Sequence, residues 1–178
     1  MLAATLWDTG SSAEAPALGD GSNDFIFKED LPPAPEISFV GDGGQPLTLE
    51  DFRGRLVLLN FWATWCAPCV REMPALDRLQ QQVGKDRFEV LTLSMDRKGL
   101  PAVKQFFDVN KLAHLAPYVD AKSKSMRAFG VRGLPTTFLI DRSGIVIGSV
   151  EGPVEWDGPE AQAFIEFFLE DPVQEAQK

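Results

Sequence analysis

Phe61-Trp62-Ala63-Thr64-Trp65-Cys66-Ala67-Pro68-Cys69 decides how the rest of the chain is read, because it holds both cysteines of the protein. Before it, Arg55-Leu56-Val57-Leu58-Leu59-Asn60 is an almost unbroken apolar run after Gly54, the pattern of a strand buried on both faces. After it, Cys69, Met73, Leu76, Leu79 and Val83 recur at helical spacing, and Gly84 follows as a stop. The two thiols therefore fall at a strand-to-helix junction, in the first turn of a helix.

That position carries chemistry. Unpaired N–H groups and the macrodipole at a helix N-terminus favour negative charge, so a thiol there ionises readily. Cys66, coming first, is expected to be the exposed nucleophile. Cys69, one turn in, is expected to be shielded and to resolve a mixed disulfide by attacking the sulfur of Cys66. Pro68 suits the first helical turn, where its missing N–H costs nothing. A zinc site needs about four ligands, and the Cys and His residues number only two and one (His114), so they cannot complete it. A purely structural disulfide across so short a loop constrains little. Redox chemistry is the better reading of a Cys-x-x-Cys beside a βαβ pattern.

Bulk properties set the outer limits. A chain of 178 residues with 44% hydrophobic content suits one domain with a tail. A net charge of −9 argues against nucleic acid or an anionic membrane surface as partner. No apolar run approaches the roughly 20 residues of a transmembrane helix, and Met1-Leu2-Ala3-Ala4-Thr5-Leu6-Trp7 lacks the basic start of a signal peptide. Composition leaves open a cytosolic protein or a chain lacking its targeting segment.

Along the chain, residues 1–34 read as a flexible leader, with turn-rich runs at 9–16 and 19–24 and a stiff Leu31-Pro32-Pro33-Ala34-Pro35 spacer. Phe25, Ile26 and Phe27 interrupt it as a segment able to dock on the domain. Residues 35–178 read as the catalytic domain. A β-hairpin is expected from 36–40 and 46–49 around Gly41-Asp42-Gly43-Gly44, then a helical turn at 50–54. Further strands are expected at 88–94, 117–120, 134–140 and 145–150. Helices are expected from Pro101 (Val103, Phe106, Phe107 and Asn110 on one side), across 121–130, and from Pro159 (Phe164, Phe167 and Phe168 inward). The order gives an α/β fold, parallel in the middle with an antiparallel edge.

Two segments, Gly54 through Pro74 and Gly133-Leu134-Pro135-Thr136-Thr137-Phe138-Leu139-Ile140-Asp141, resemble the TlpA-like thiol-disulfide oxidoreductases of the thioredoxin superfamily. Gly152-Pro153-Val154-Glu155-Trp156 is similar to a late segment of the same family. The resemblance implies a thioredoxin-like fold, a central mixed sheet flanked by helices, with an N-terminal β-hairpin extension. It implies that Pro135 is a cis-proline facing the cysteines, and that the backbone of Leu134 pairs with substrate like an added strand. Trp65, Ala67 and Pro68 are expected on the substrate surface, and Trp62 in the core. Asn60 stands where thioredoxin has a titrating aspartate, and Glu72, three residues past Cys69, matches the acid of some members. The alternative for Glu72 is a carboxylate complementing the helix dipole. Pro74 matches the family's helix kink.

The implied activity is reduction of disulfides in extracytoplasmic proteins: a copper chaperone, a copper-binding oxidase subunit or apocytochrome c. Electrons would come from a membrane donor of the DsbD or CcdA type. The implied location is periplasmic, in a monomer membrane-anchored through an N-terminal segment that precedes the linker, with no organic cofactor and no metal. A second reading is a copper-delivery module of the Sco type using Cys66, Cys69 and His114. It departs from that pattern in cysteine spacing. A peroxiredoxin is set aside because Pro-x-x-x-Thr-x-x-Cys is absent around Cys66.

Overall fold

A computed structural model describes residues 15–18 and 23–170. The elements are β1 (Ile26–Phe27), β2 (Ser38–Val40), β3 (Pro46–Thr48), a 3-10 turn (Leu49–Phe52), β4 (Leu56–Trp62), α1 (Ala67–Val83), β5 (Phe88–Ser94), α2 (Leu100–Asn110), β6 (Tyr118–Val119), α3 (Lys124–Ala128), β7 (Thr136–Ile140), β8 (Val146–Glu151) and α4 (Pro159–Glu170). The strands form one sheet in the order β1-β8-β7-β4-β5-β6-β2-β3. At its centre β4 runs parallel to β5, with Leu56 opposite Phe88 and Trp62 opposite Ser94, and antiparallel to β7.

The strand β4 explains why the sequence there is apolar at every step but one. Leu56, Leu58 and Trp62 join a core with Met73, Leu76 and Leu79 of α1, Val103 and Phe107 of α2, and Phe164 and Phe168 of α4. Val57, Leu59 and Phe61 join a second core with Phe39, Phe52, Tyr118 and Phe138. A strand covered on both faces needs no polar alternation. The exception, Asn60, is fully buried. This is the thioredoxin-like architecture that the resemblance implies, with the β2–β3 hairpin added at one edge.

Two expectations are corrected, and one is filled in: Phe25, Ile26 and Phe27, expected as a docking segment, do pack on the domain. Ile26 and Phe27 pair with Ser149 and Gly148 of β8, and Val146 N–H donates to Pro32 O at 2.9 Å. Phe25 packs edge-on against Phe164 with ring centroids 4.9 Å apart. The partner of this edge strand lies more than a hundred residues away, so composition marks the segment as able to dock without naming its place in the sheet. Asn110 is exposed and its side chain donates to Phe106 O at 2.8 Å, so the buried side of α2 is Val103 and Phe107, with Phe106 half-covered. The strand expected from 134 begins at Thr136, because Leu134 and Pro135 form the bend before it. The expected leader residues 1–14 and 19–22 lie outside the described residues.

Candidate active site

The site is assembled where β4 stops. Met95 N–H donates to Trp62 O, and Asp96, just past β5, accepts from Thr64 N–H at 2.9 Å, Thr64 Oγ1 at 2.6 Å and Ser94 Oγ at 2.6 Å. These bonds fix the turn that delivers Cys66 as the N-cap of α1. The Cys69 backbone N–H donates to Cys66 Sγ at 3.4 Å, so one of the helix's otherwise unpaired amides is aimed at that sulfur. Pro68 occupies the first turn without loss of a bond.

Cys66 and Cys69 are joined as a disulfide with their Cα atoms 5.3 Å apart, so this is the oxidised form. Cys66 is 7% exposed and Cys69 is fully buried. The order of access is the expected one, but Cys66 is a largely covered sulfur rather than an open one. It lines a groove of about 900 Å³ together with Trp65, Pro68, Gly133 and Leu134. Trp65 is 70% exposed at its rim, and Trp62 is wholly buried in the core. Ala67 is exposed. The Leu134–Pro135 peptide bond is cis; Gly152 N–H donates to Pro135 O at 2.9 Å and Thr136 Oγ1 to Gly133 O at 2.8 Å.

One turn beyond Cys69 on the same helix face, Glu72 is only 4% exposed. Its carboxylate accepts from Asn60 Nδ2 at 2.8 Å and from Val154 N–H at 3.3 Å. The Trp156 indole N–H is buried, makes no hydrogen bond of ordinary geometry, and still lies near enough to favour the charged carboxylate. Burial outweighs these neutral donors and pushes the Glu72 carboxyl up to about 7. Asn60 also donates to Thr137 Oγ1 at 2.9 Å, while its own carbonyl oxygen is buried without a partner. Sequence spacing finds Glu72. Its partners Val154 and Trp156 come from the loop after β8; Gly152–Trp156 is visible as a motif, but nothing local links it to Glu72.

His114 does not join the thiols. Its ring bonds Asp77 at 2.9 Å, and Asp77 lies eleven residues along α1 from Cys66, about 16 Å at 1.5 Å per residue. One metal ion could not reach all three side chains, so the Sco-type ligand set is not assembled. Among the described residues no other cluster of three or more His, Cys, Asp or Glu has metal-binding geometry.

A Cys-x-x-Cys disulfide capping a helix, opposite a cis-proline bend on this sheet, defines a thiol-disulfide oxidoreductase of thioredoxin fold. The Redoxin family model matches residues 31–165, and the chain belongs to that family. It is 36% identical over 119 residues to the thiol-disulfide oxidoreductase ResA of Bacillus thuringiensis subsp. konkukian, covering 67% of this chain and 68% of the relative. A thiol:disulfide interchange protein of the thioredoxin family from Chlorobium tepidum superposes with a TM-score of 0.64 at 29% identity, over 78% of this chain and 96% of that one. The pneumococcal exposed lipoprotein thioredoxin Etrx1 from Streptococcus pneumoniae gives a TM-score of 0.61 at 28% identity, over 76% and 99%.

Proposed function

We propose that this oxidoreductase works as a reductant of protein disulfides outside the cytoplasm. The observation that carries the mechanism is a helix-capping Cys66 bonded to a fully buried Cys69, with the buried Glu72, its carboxyl raised to about 7 by that burial, one turn further along the helix. In the reduced protein the Cys66 thiolate attacks one sulfur of the target disulfide. The Cys66–target bond forms as the target's S–S bond breaks, and the released target sulfur takes a proton. The Glu72 carboxylate then takes the Cys69 proton, and the Cys69 thiolate attacks Cys66 Sγ. The second target sulfur leaves, two electrons have passed to the target, and the protein holds the Cys66–Cys69 disulfide seen here. Trp65, Ala67, Pro68 and the backbone of Leu134 beside Pro135 form the contact surface, with Leu134 accepting an extended target segment as an added strand.

Ala67-Pro68 between the thiols supports the reducing direction, since it lacks the Pro-His of a strong oxidant. The likeness to an exposed lipoprotein thioredoxin supports the extracytoplasmic setting. The targets proposed are a copper chaperone, a copper-binding oxidase subunit or apocytochrome c, and the electron source a membrane donor of the DsbD or CcdA type. The protein acts as a monomer, anchored to the membrane through a segment preceding the linker.

Cys69→Ser should strand the target on Cys66 as a stable mixed disulfide, identifiable by mass spectrometry, while Cys66→Ser should trap nothing. The reverse pattern exchanges the two roles. Equilibration against thiol buffers tests direction. A reduction potential nearer thioredoxin's about −270 mV than the about −120 mV of a strong oxidant is expected; a value at the oxidising end overturns the reductant reading.

A further inference from the structure

The groove beside Cys66 has a charge opposite to that of the protein. Its walls include Arg97 and Lys98, just past β5, and Arg132, on the approach to Leu134. All three are exposed, and among the described residues none makes an ion pair or hydrogen bond. By contrast Arg53, Arg55, Arg78 and Lys104 are each committed to a carboxylate. The groove's one acid, Asp96, is buried and accepts from Thr64 and Ser94. The lining is therefore formally net +2 on a chain of net −9. Its apolar part is Trp65, Met126 and Leu134, each at least partly open. At about 900 Å³ it lies near the upper end of small-ligand clefts, with room for a short chain segment rather than one side chain.

We infer that the groove selects protein targets whose reactive cysteine is flanked by aspartate or glutamate in an extended segment. With the target cysteine over Cys66, carboxylates on the neighbouring residues meet Arg97, Lys98 and Arg132, and an apolar residue covers Trp65 and Met126. Arginine forks bind carboxylates in two-point contacts. A local cationic patch on an acidic protein also turns long-range repulsion into orientation, because an acidic partner is repelled by the net charge and attracted beside the reactive sulfur. The identity of the reacting cysteine rests on the reductant reading above; the charge preference does not.

The test uses three matched extended peptides of one length, with aspartate, serine or lysine on both sides of a central residue. With serine at the centre and a fluorescent label, they report affinity for the oxidised protein by anisotropy. With a cysteine at the centre, disulfide-bonded to 2-mercaptoethanol, they report reduction by the reduced protein. At low ionic strength the acidic peptide should bind and react about tenfold better than the lysine peptide, the ratio shrinking toward one in molar salt. Arg132→Glu or Arg97→Glu should abolish or invert that ratio. Lys85→Glu, an equal charge change on an exposed site outside the groove, should leave it intact. Equal or lysine-favouring affinity in the unaltered protein, or a preference that survives Arg97→Glu/Lys98→Glu/Arg132→Glu, overturns the inference. Acid-selective binding with no peptide reduced would leave the groove assignment standing and sink the reductant reading instead.

Discussion

Helix α1 carries two buried acids five residues apart, and they have been driven in opposite directions. Asp77 accepts from the backbone N–H groups of His114 (2.8 Å) and Leu115 (3.1 Å) and bonds the His114 ring at 2.9 Å. Burial alone would raise its carboxyl, but the His114 ring and the two amides outweigh burial and hold it below the usual carboxylate range. Glu72 meets only the neutral Asn60 amide, one long backbone bond and an indole edge, so burial wins and the carboxyl rises to about 7. A third buried acid, Glu89, is matched by Arg55 at 2.7 Å and Tyr118 Oη at 2.9 Å. The lesson is that burial by itself does not raise a carboxyl; burial left uncompensated does.

The contrast can be broken most decisively through Glu72. A carboxyl raised from 4.5 to about 7 stays protonated in the fold at pH values where the unfolded chain has already lost that proton. Stability should therefore fall as pH rises from about 4.5 to 7, by about 3 kcal/mol in total, and change no further above that. Glu72→Gln should lack this slope and gain about 3 kcal/mol on the unaltered protein between about pH 4 and pH 8, read by urea unfolding of the oxidised form. Parallel curves would mean that Glu72 titrates like an ordinary glutamate. Asp77 should show the opposite sign: its contribution is present above about pH 4 and lost as pH falls below that. Asp77→Asn should cost about 2 kcal/mol at pH 7, from a charge-assisted bond to two amides and a ring, and less when unfolding is measured toward pH 3.

Smaller effects sharpen the same comparison. Trp156→Phe removes the one indole N–H facing Glu72, so the midpoint of the pH–rate profile for thiol exchange should move upward. His114→Ala removes a half-exposed partner and should cost about 0.5 kcal/mol or less. Disulfide exchange should be unaffected. A lost rate with that variant would reopen a role for His114 that its separation from the thiols argues against.

What could be read from sequence follows the range of the interactions involved. The strand–thiol–helix unit was legible because its signals are local: an apolar run, two cysteines three apart, and helical spacing ending at Gly84. Glu72 was legible as a position, one turn from Cys69, but not as an acid held near neutrality, since Val154 and Trp156 lie about eighty residues further on. Arg97, Lys98 and Arg132 are three among seventeen cations in the sequence; only the placement of β5 and the bend before β7 around one groove makes them neighbours. The docking of 23–34 was half legible: Phe25-Ile26-Phe27 mark it as able to dock, but nothing local names β8 as the strand it pairs with.

That docked segment has a practical consequence. The Asn23 side-chain amide donates to Pro153 O at 2.7 Å, and Gly152 beside that proline sits at φ 95, where any Cβ would press to 2.7 Å from Asn23 Oδ1. The next residue, Val154, is the one whose amide reaches Glu72. Glu72 is thus roofed by a loop that is itself braced by the first stretch of chain leading into the sheet. A preparation trimmed to start at residue 35, the cut that composition recommends, would discard that brace and measure a different enzyme.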